Sequence, residues 1–95
     1  MNAIELFEEK KYDELLTYFE SLPPREFSDR FILLENTEQK KGVNVLEVLY
    51  SEWTEEQWKL FRWLDSSDRT RKYILAKKEE DLTDQDIFDL RACDF

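Results

Sequence analysis

The side chains that could do chemistry in this sequence are mostly carboxylates. Glu55 and Glu56 stand side by side, and Asp84, Asp86 and Asp89 are close together near the end. Acid–base catalysis needs two carboxylates across a concave site with their pKa values pushed apart, and neither group carries a sign of that arrangement. Asp84, Asp86 and Asp89 have oxygen ligands for a divalent cation but lack the glycine and terminal glutamate of a calcium loop. There is no histidine, which removes the Ser-His-Asp and Cys-His mechanisms and the commonest metal ligand. The single cysteine, Cys93, can form neither an internal disulfide nor a cysteine-based zinc site, and a free thiol fits the reducing cytosol. The single glycine, Gly42, excludes a glycine-rich phosphate loop. The expectation is a non-enzymatic protein with no metal and no cofactor.

Two other features point to binding. Residues 69–78 hold Arg69, Arg71, Lys72, Lys77 and Lys78 without an acid. Residues 79–95 hold Glu79, Glu80, Asp81, Asp84, Asp86, Asp89 and Asp94 against Arg91 alone, a net of −6 within a chain total of −9. Such a segment can steer a basic partner into contact. It can equally be a solvated helix start, where acids suit the dipole, or pair with the basic stretch before it. The second feature is Trp53, Trp58 and Trp63, spaced by five residues and so about 140° apart around a helix. Trp58 aligns with Phe61 and Leu64, whereas Trp63 lies off that stripe beside Arg62. Tryptophan and arginine dominate interface anchors, so Arg62 and Trp63 are candidate partner contacts, with packing against a neighbouring helix as the alternative.

These residues must be positioned by helices. Ninety-five residues make one domain, 1–95, burying roughly 65% of its unfolded surface. Fourteen aromatics among 41% hydrophobic residues supply a core of few large pieces. One Gly and two adjacent Pro leave too few turn residues for a β-sheet protein. Apolar spacing predicts an all-α fold with helices near 3–9, 13–21, 25–35, 43–52, 55–65, 68–78 and 84–92, packed as stacked helical hairpins. Lys10-Lys11-Tyr12 contains nothing that breaks a helix, so the first helix could run into the second. Asn2 with Glu5, Thr54 with Gln57 and Thr83 with Asp86 have capping-box spacing; Asp13 and Ser67 are further caps. The expected core is Leu16, Phe19, Phe31, Ile32, Leu46, Leu49, Trp58, Phe61, Leu64 and Ile74. A shift of 42 residues lays Ala3 on Val45, Phe7 on Leu49, Phe19 on Phe61 and Leu22 on Leu64, a degenerate internal repeat.

Residues 6–24, LFEEKKYDELLTYFESLPP, resemble the middle of a tetratricopeptide repeat through Tyr12, Leu16, Phe19 and Pro23. They depart from it at Lys10-Lys11 and Leu16, where that family has small residues. The 42-residue offset is closer to the length of HEAT and armadillo repeats. These resemblances imply helical hairpins and no functional residues. In size, acidity and aromatic content the chain resembles toxin-immunity proteins and phage-encoded inhibitors of host defence. That likeness implies a monomer or weak dimer that blocks a larger, basic protein partner; the alternative is a helical-repeat adaptor with a concave face. The N-terminus lacks the basic and apolar regions of a signal peptide, and no stretch is long enough to span a membrane. The net charge opposes general binding to nucleic acid or anionic membranes. A cytoplasmic protein is expected.

Overall fold

Capping side chains set where most of the helices begin. In the computed structural model, whose described residues are 1–92, Asn2, Asn44, Thr54 and Ser66 each accept a hydrogen bond from the backbone N–H three residues on. Thr54 and Gln57 complete a reciprocal capping box, and Thr83 and Asp86 form another at 3.1 Å in both directions. The helices are α1 (Ala3–Glu8), α2 (Tyr12–Ser21), α3 (Pro24–Gln39), α4 (Val45–Glu52), α5 (Glu55–Leu64), α6 (Ser67–Leu75) and α7 (Asp84–Ala92), with a single 3-10 turn over Glu79–Asp81. The fold is all-α, and the helices pack on one another. No helix among the described residues is long and apolar enough to cross a membrane. Cys93 and Asp94 lie outside the described residues.

Two turns carry left-handed residues. Lys10 has φ 61° and Gly42 has φ 79°. At both, the following N–H reaches back five residues, Lys11 to the Leu6 carbonyl and Val43 to the Glu38 carbonyl, which is the Schellman way of ending a helix. The two helices expected at 3–9 and 13–21 are therefore separate, and the alternative of one helix running on through Lys10-Lys11-Tyr12 does not hold. The carbonyls at the end of α1 are satisfied by a turn that forces a lysine into a conformation suited to glycine. Two expected caps also move. Asp13 lies inside α2 after Lys11, and Ser67 is the first residue of α6 after Ser66. α3 runs four residues past its expected end, to Gln39, because Leu34 and Glu38 continue its buried face until the Gly42 turn.

The core forms where α1, α2, α3, α4 and α5 meet. Leu15, Phe19, Phe27, Leu34, Leu49 and Leu64 are fully buried. Of the expected core, Leu16, Phe19, Leu49, Phe61, Leu64 and Ile74 are buried, and Phe31 and Trp58 pack partly buried against it. Ile32 and Leu46 are corrections, being 54% and 39% exposed. The inward stripe of α3 is Phe27–Phe31–Leu34–Glu38, and Ile32 stands about 100° around the helix from Phe31. In α4, Val45, Val48 and Leu49 face inward, which turns Leu46 and Tyr50 out.

Helices α1, α2 and α3 begin at 3, 12 and 24, and α4, α5 and α6 begin at 45, 55 and 67, offsets of 42, 43 and 43. Two of the three pairs so related pack together, α2 on α5 and α3 on α6. The arrangement is elongated, 41 × 27 × 25 Å, with a radius of gyration of 14.6 Å against about 13 Å for a compact chain of this length.

Candidate functional site

The charged C-terminal part is built on α6. Ser66 starts this helix, and its Arg69 side chain turns inward and is buried. The guanidinium donates to the carbonyls of Leu22, just past α2, and Leu64, the last residue of α5 (3.3 Å to the latter). Those carbonyls are otherwise unsatisfied helix ends carrying partial negative charge, so one buried cation closes two helices without a carboxylate. Its planar group lies 5.8 Å from the Phe27 ring and 6.0 Å from the Trp63 ring. Burial lowers the Arg69 pKa, an effect opposed by Glu20 and Tyr73.

Trp63 is 45% exposed, with one side against Arg69, and Arg62 beside it is exposed. Trp53 is buried and donates its indole N–H to the Tyr12 carbonyl at 3.0 Å. Trp58 sits at the edge of the core against Trp53, Tyr50 and Phe61. The five-residue spacing thus sends the three indoles to three environments.

The acidic residues divide. Asp86 accepts from Lys77 at 2.9 Å as well as capping α7, and Asp89 accepts from Arg25 of α3 at 2.8 Å. Lys77, then the Thr83 N–H, holds the Asp86 carboxyl below its ordinary range, and Lys77 is raised in return. Asp89 raises Arg25 in the same way. Glu79, Glu80, Asp81 and Asp84 are exposed, and among the described residues none of the four forms an ion pair. Asp84, Asp86 and Asp89 therefore do not converge. Two face the protein body and one faces solvent.

Between the start of α3, α6 and α7 lies an open groove of about 630 Å³, with Pro24, Ser28, Tyr73 and Ile74 along its walls and both ion pairs at its rim. Arg69 and Tyr73 are one turn apart on α6, and Lys77, just past its end, lies 5.2 Å over the Tyr73 ring, so a single ridge leads from Trp63 to α7. The sequence pattern singled out Trp63 and the acids and allowed the basic stretch to pair with them, as Lys77 does with Asp86, but it did not show the roles of Arg25 and Arg69. Arg25 and Asp89 are 64 residues apart, and no local pattern announces their meeting.

A second charged cluster lies at the far ends of α1 and α3. Lys41 bonds Glu8 and stands 4.0 Å from Glu38, whose buried Oε1 has no hydrogen-bond partner. Burial raises the Glu38 carboxyl above its usual range, with Lys41 pulling the other way. No protein-family model, curated protein or solved structure matches this chain.

Proposed function

We propose that this is a non-enzymatic binding protein that neutralises or inhibits a larger protein by covering a basic surface on it, in the manner of a toxin-immunity protein or a phage-encoded inhibitor. The observation that carries the reading is the division of the C-terminal acids. Lys77 and Arg25 are taken by Asp86 and Asp89, and Glu79, Glu80, Asp81 and Asp84 remain as outward negative charge, with Lys78 the one adjacent base in the sequence. Such charge raises encounter rates with a cationic surface. Trp63, half exposed at the other end of the α6 ridge, supplies an aromatic anchor beside Arg62. The setting in which partner and protein would meet is the cytoplasm.

The adaptor reading draws support from the groove between α3, α6 and α7 and from the stacking of α2 on α5 and α3 on α6. Affinity capture from the producing cells, followed by reconstitution with the captured protein, separates the two. Under the inhibitor reading, replacing Glu79 and Glu80 by Gln and Asp81 and Asp84 by Asn slows association about tenfold or more at low salt and changes dissociation less. Trp63→Ala has the opposite effect, accelerating dissociation by a factor equivalent to about 2 kcal/mol, and the partner's own activity is lost in the complex. Unchanged association after charge removal, with binding lost on Tyr73→Ala in the groove, would establish the adaptor instead.

A further inference from the structure

The two faces of α7 differ from those of the other helices, since its inner side carries two aspartates beside the half-buried Leu90. Asp86 and Asp89 point toward the protein body, where Lys77 and Arg25 hold them, while Ile87 and Phe88 are 42% and 65% exposed. No residue of this helix is buried. Asp84, Ile87, Phe88 and Arg91 fall at i, i+3, i+4 and i+7 and make one outer stripe, all four exposed. Among the described residues neither Asp84 nor Arg91 forms an ion pair.

The order along that stripe is acid, apolar, apolar, base. A half-turn about an axis between Ile87 and Phe88 reverses it, so an antiparallel second copy brings Arg91 opposite Asp84 twice and Ile87 opposite Phe88 twice. This is the self-complementarity that a two-fold interface requires, since each contact must occur with its mirror partner in the other copy. We infer that the outer stripe of α7 is the contact of an antiparallel homodimer. The stripe spans eight residues, roughly 10 Å from first to last along the helix, so the contact belongs with small, transient interfaces below about 1,200 Å². The charge of −9 on each copy opposes the approach. Salt also screens the two exposed Asp84–Arg91 pairs, which are individually weak. The repulsion between two copies of −9 is the larger sum, so screening strengthens the dimer, whereas it weakens capture of a basic partner. The opposite signs keep the failure of this inference distinct from the failure of the inhibitor reading.

Sedimentation velocity of the full chain from about 10 µM to about 1 mM, in about 50 and about 500 mM NaCl, is the test. The expected result is reversible dimerisation that tightens in high salt. Asp84→Arg and Arg91→Asp each put like charges opposite one another twice and weaken the dimer about tenfold. A one-to-one mixture of these two variants restores association to within about threefold of the parent. In the mixed pair the arginine introduced in one copy meets the aspartate introduced in the other, and the unaltered Arg91 and Asp84 meet at the second contact. Phe88→Ser removes association across the whole range, and Ile32→Ser, on another exposed surface, leaves it intact. A parent that stays monomeric at the highest concentration, a mixture no tighter than either variant alone, or an equal loss in Ile32→Ser overturns the inference. The charge variants change only exposed positions, and the mixture recovers association only if both still fold.

Discussion

The two ends of this molecule are held by different forces. In the region of α1 to α5, rings touch rings. Phe19 packs against Tyr18, Phe27, Phe31 and Phe61, and Phe61 also meets Trp53 and Trp58. In the region of α6 and α7, only Arg69 and Ile74 are buried, and α7 is joined to the rest through Lys77–Asp86 and Arg25–Asp89. Burial of apolar surface is indifferent to ionic strength at ordinary salt, while exposed ion pairs are individually weak and screened. The comparison teaches where binding can be located in so small a chain. The aromatic region commits most of its rings to the core and leaves Tyr50 and Trp63 outward, whereas the charged region buries almost none of its side chains and leaves Ile87, Phe88 and four acids exposed.

The largest expected effect breaks the aromatic region. Phe19→Ala leaves a cavity at the centre of the ring cluster and costs about 3–5 kcal/mol, a large share of the roughly 5–15 kcal/mol that domains possess. Chemical denaturation followed by circular dichroism measures it. A midpoint unchanged from the parent would show that the ring cluster does not carry the fold.

A smaller change sharpens the same region. Lys10 occupies the left-handed position of the turn between α1 and α2, which costs a side-chain-bearing residue roughly 1–2 kcal/mol. Lys10→Gly relieves that strain and raises stability by about 1 kcal/mol, net of the entropy glycine loses. A fall in melting temperature would mean the turn is set by contacts of the lysine and not by its backbone.

The smallest effect separates the regions by pH. Burial holds Glu38 above the ordinary glutamate value of about 4.3. The folded state therefore binds its proton more readily, and protonation adds stability as pH falls through the raised pKa. Asp86 is the reverse. Lys77 and the Thr83 N–H hold it down, with Asp81 near Lys77 and the Arg25–Asp89 pair on the same helix. Its contribution is complete above the unfolded aspartate value of about 3.9 and is lost as pH falls through the lower folded value. In an NMR titration from about pH 7 downward that follows the side-chain carboxyl carbons, Glu38 moves before Asp86. Glu35, also raised by burial and then by Asp65, titrates on the same helix, so Glu38→Gln removes only the Glu38 resonance and leaves those of Glu35 and Asp86. Both regions moving together would refute the division.

Much of the helical architecture was legible because it rests on local rules. Thr54 with Gln57 and Thr83 with Asp86 form their boxes from spacing alone, and Pro24 begins α3 as its fixed φ predicts. Leu16, Phe19, Phe61 and Leu64 are buried where helical periodicity placed them, and the 42-residue shift anticipated the starts of three later helices to within one residue. Periodicity was less reliable where apolar residues run together. In Phe31-Ile32-Leu33-Leu34 and Val45-Leu46 any of several faces fits, and only the neighbouring helices choose one. The candidate surface was half legible. The abundance of acids after residue 78 and the offset of Trp63 from its stripe can be read from the chain, because charge and angular spacing are properties of residues in order.

Which acids remain outward is a different kind of fact. Arg25 had to be carried across 64 residues to claim Asp89, and Arg69 had to turn inward to close α2 and α5. Local composition determined that this protein is helical, acidic and rich in aromatics. Only the packing of distant helices decided that α7 shows Ile87, Phe88 and Asp84 to solvent and Asp86 and Asp89 to the body, because an ion pair between remote segments exists only once the chain has folded around it.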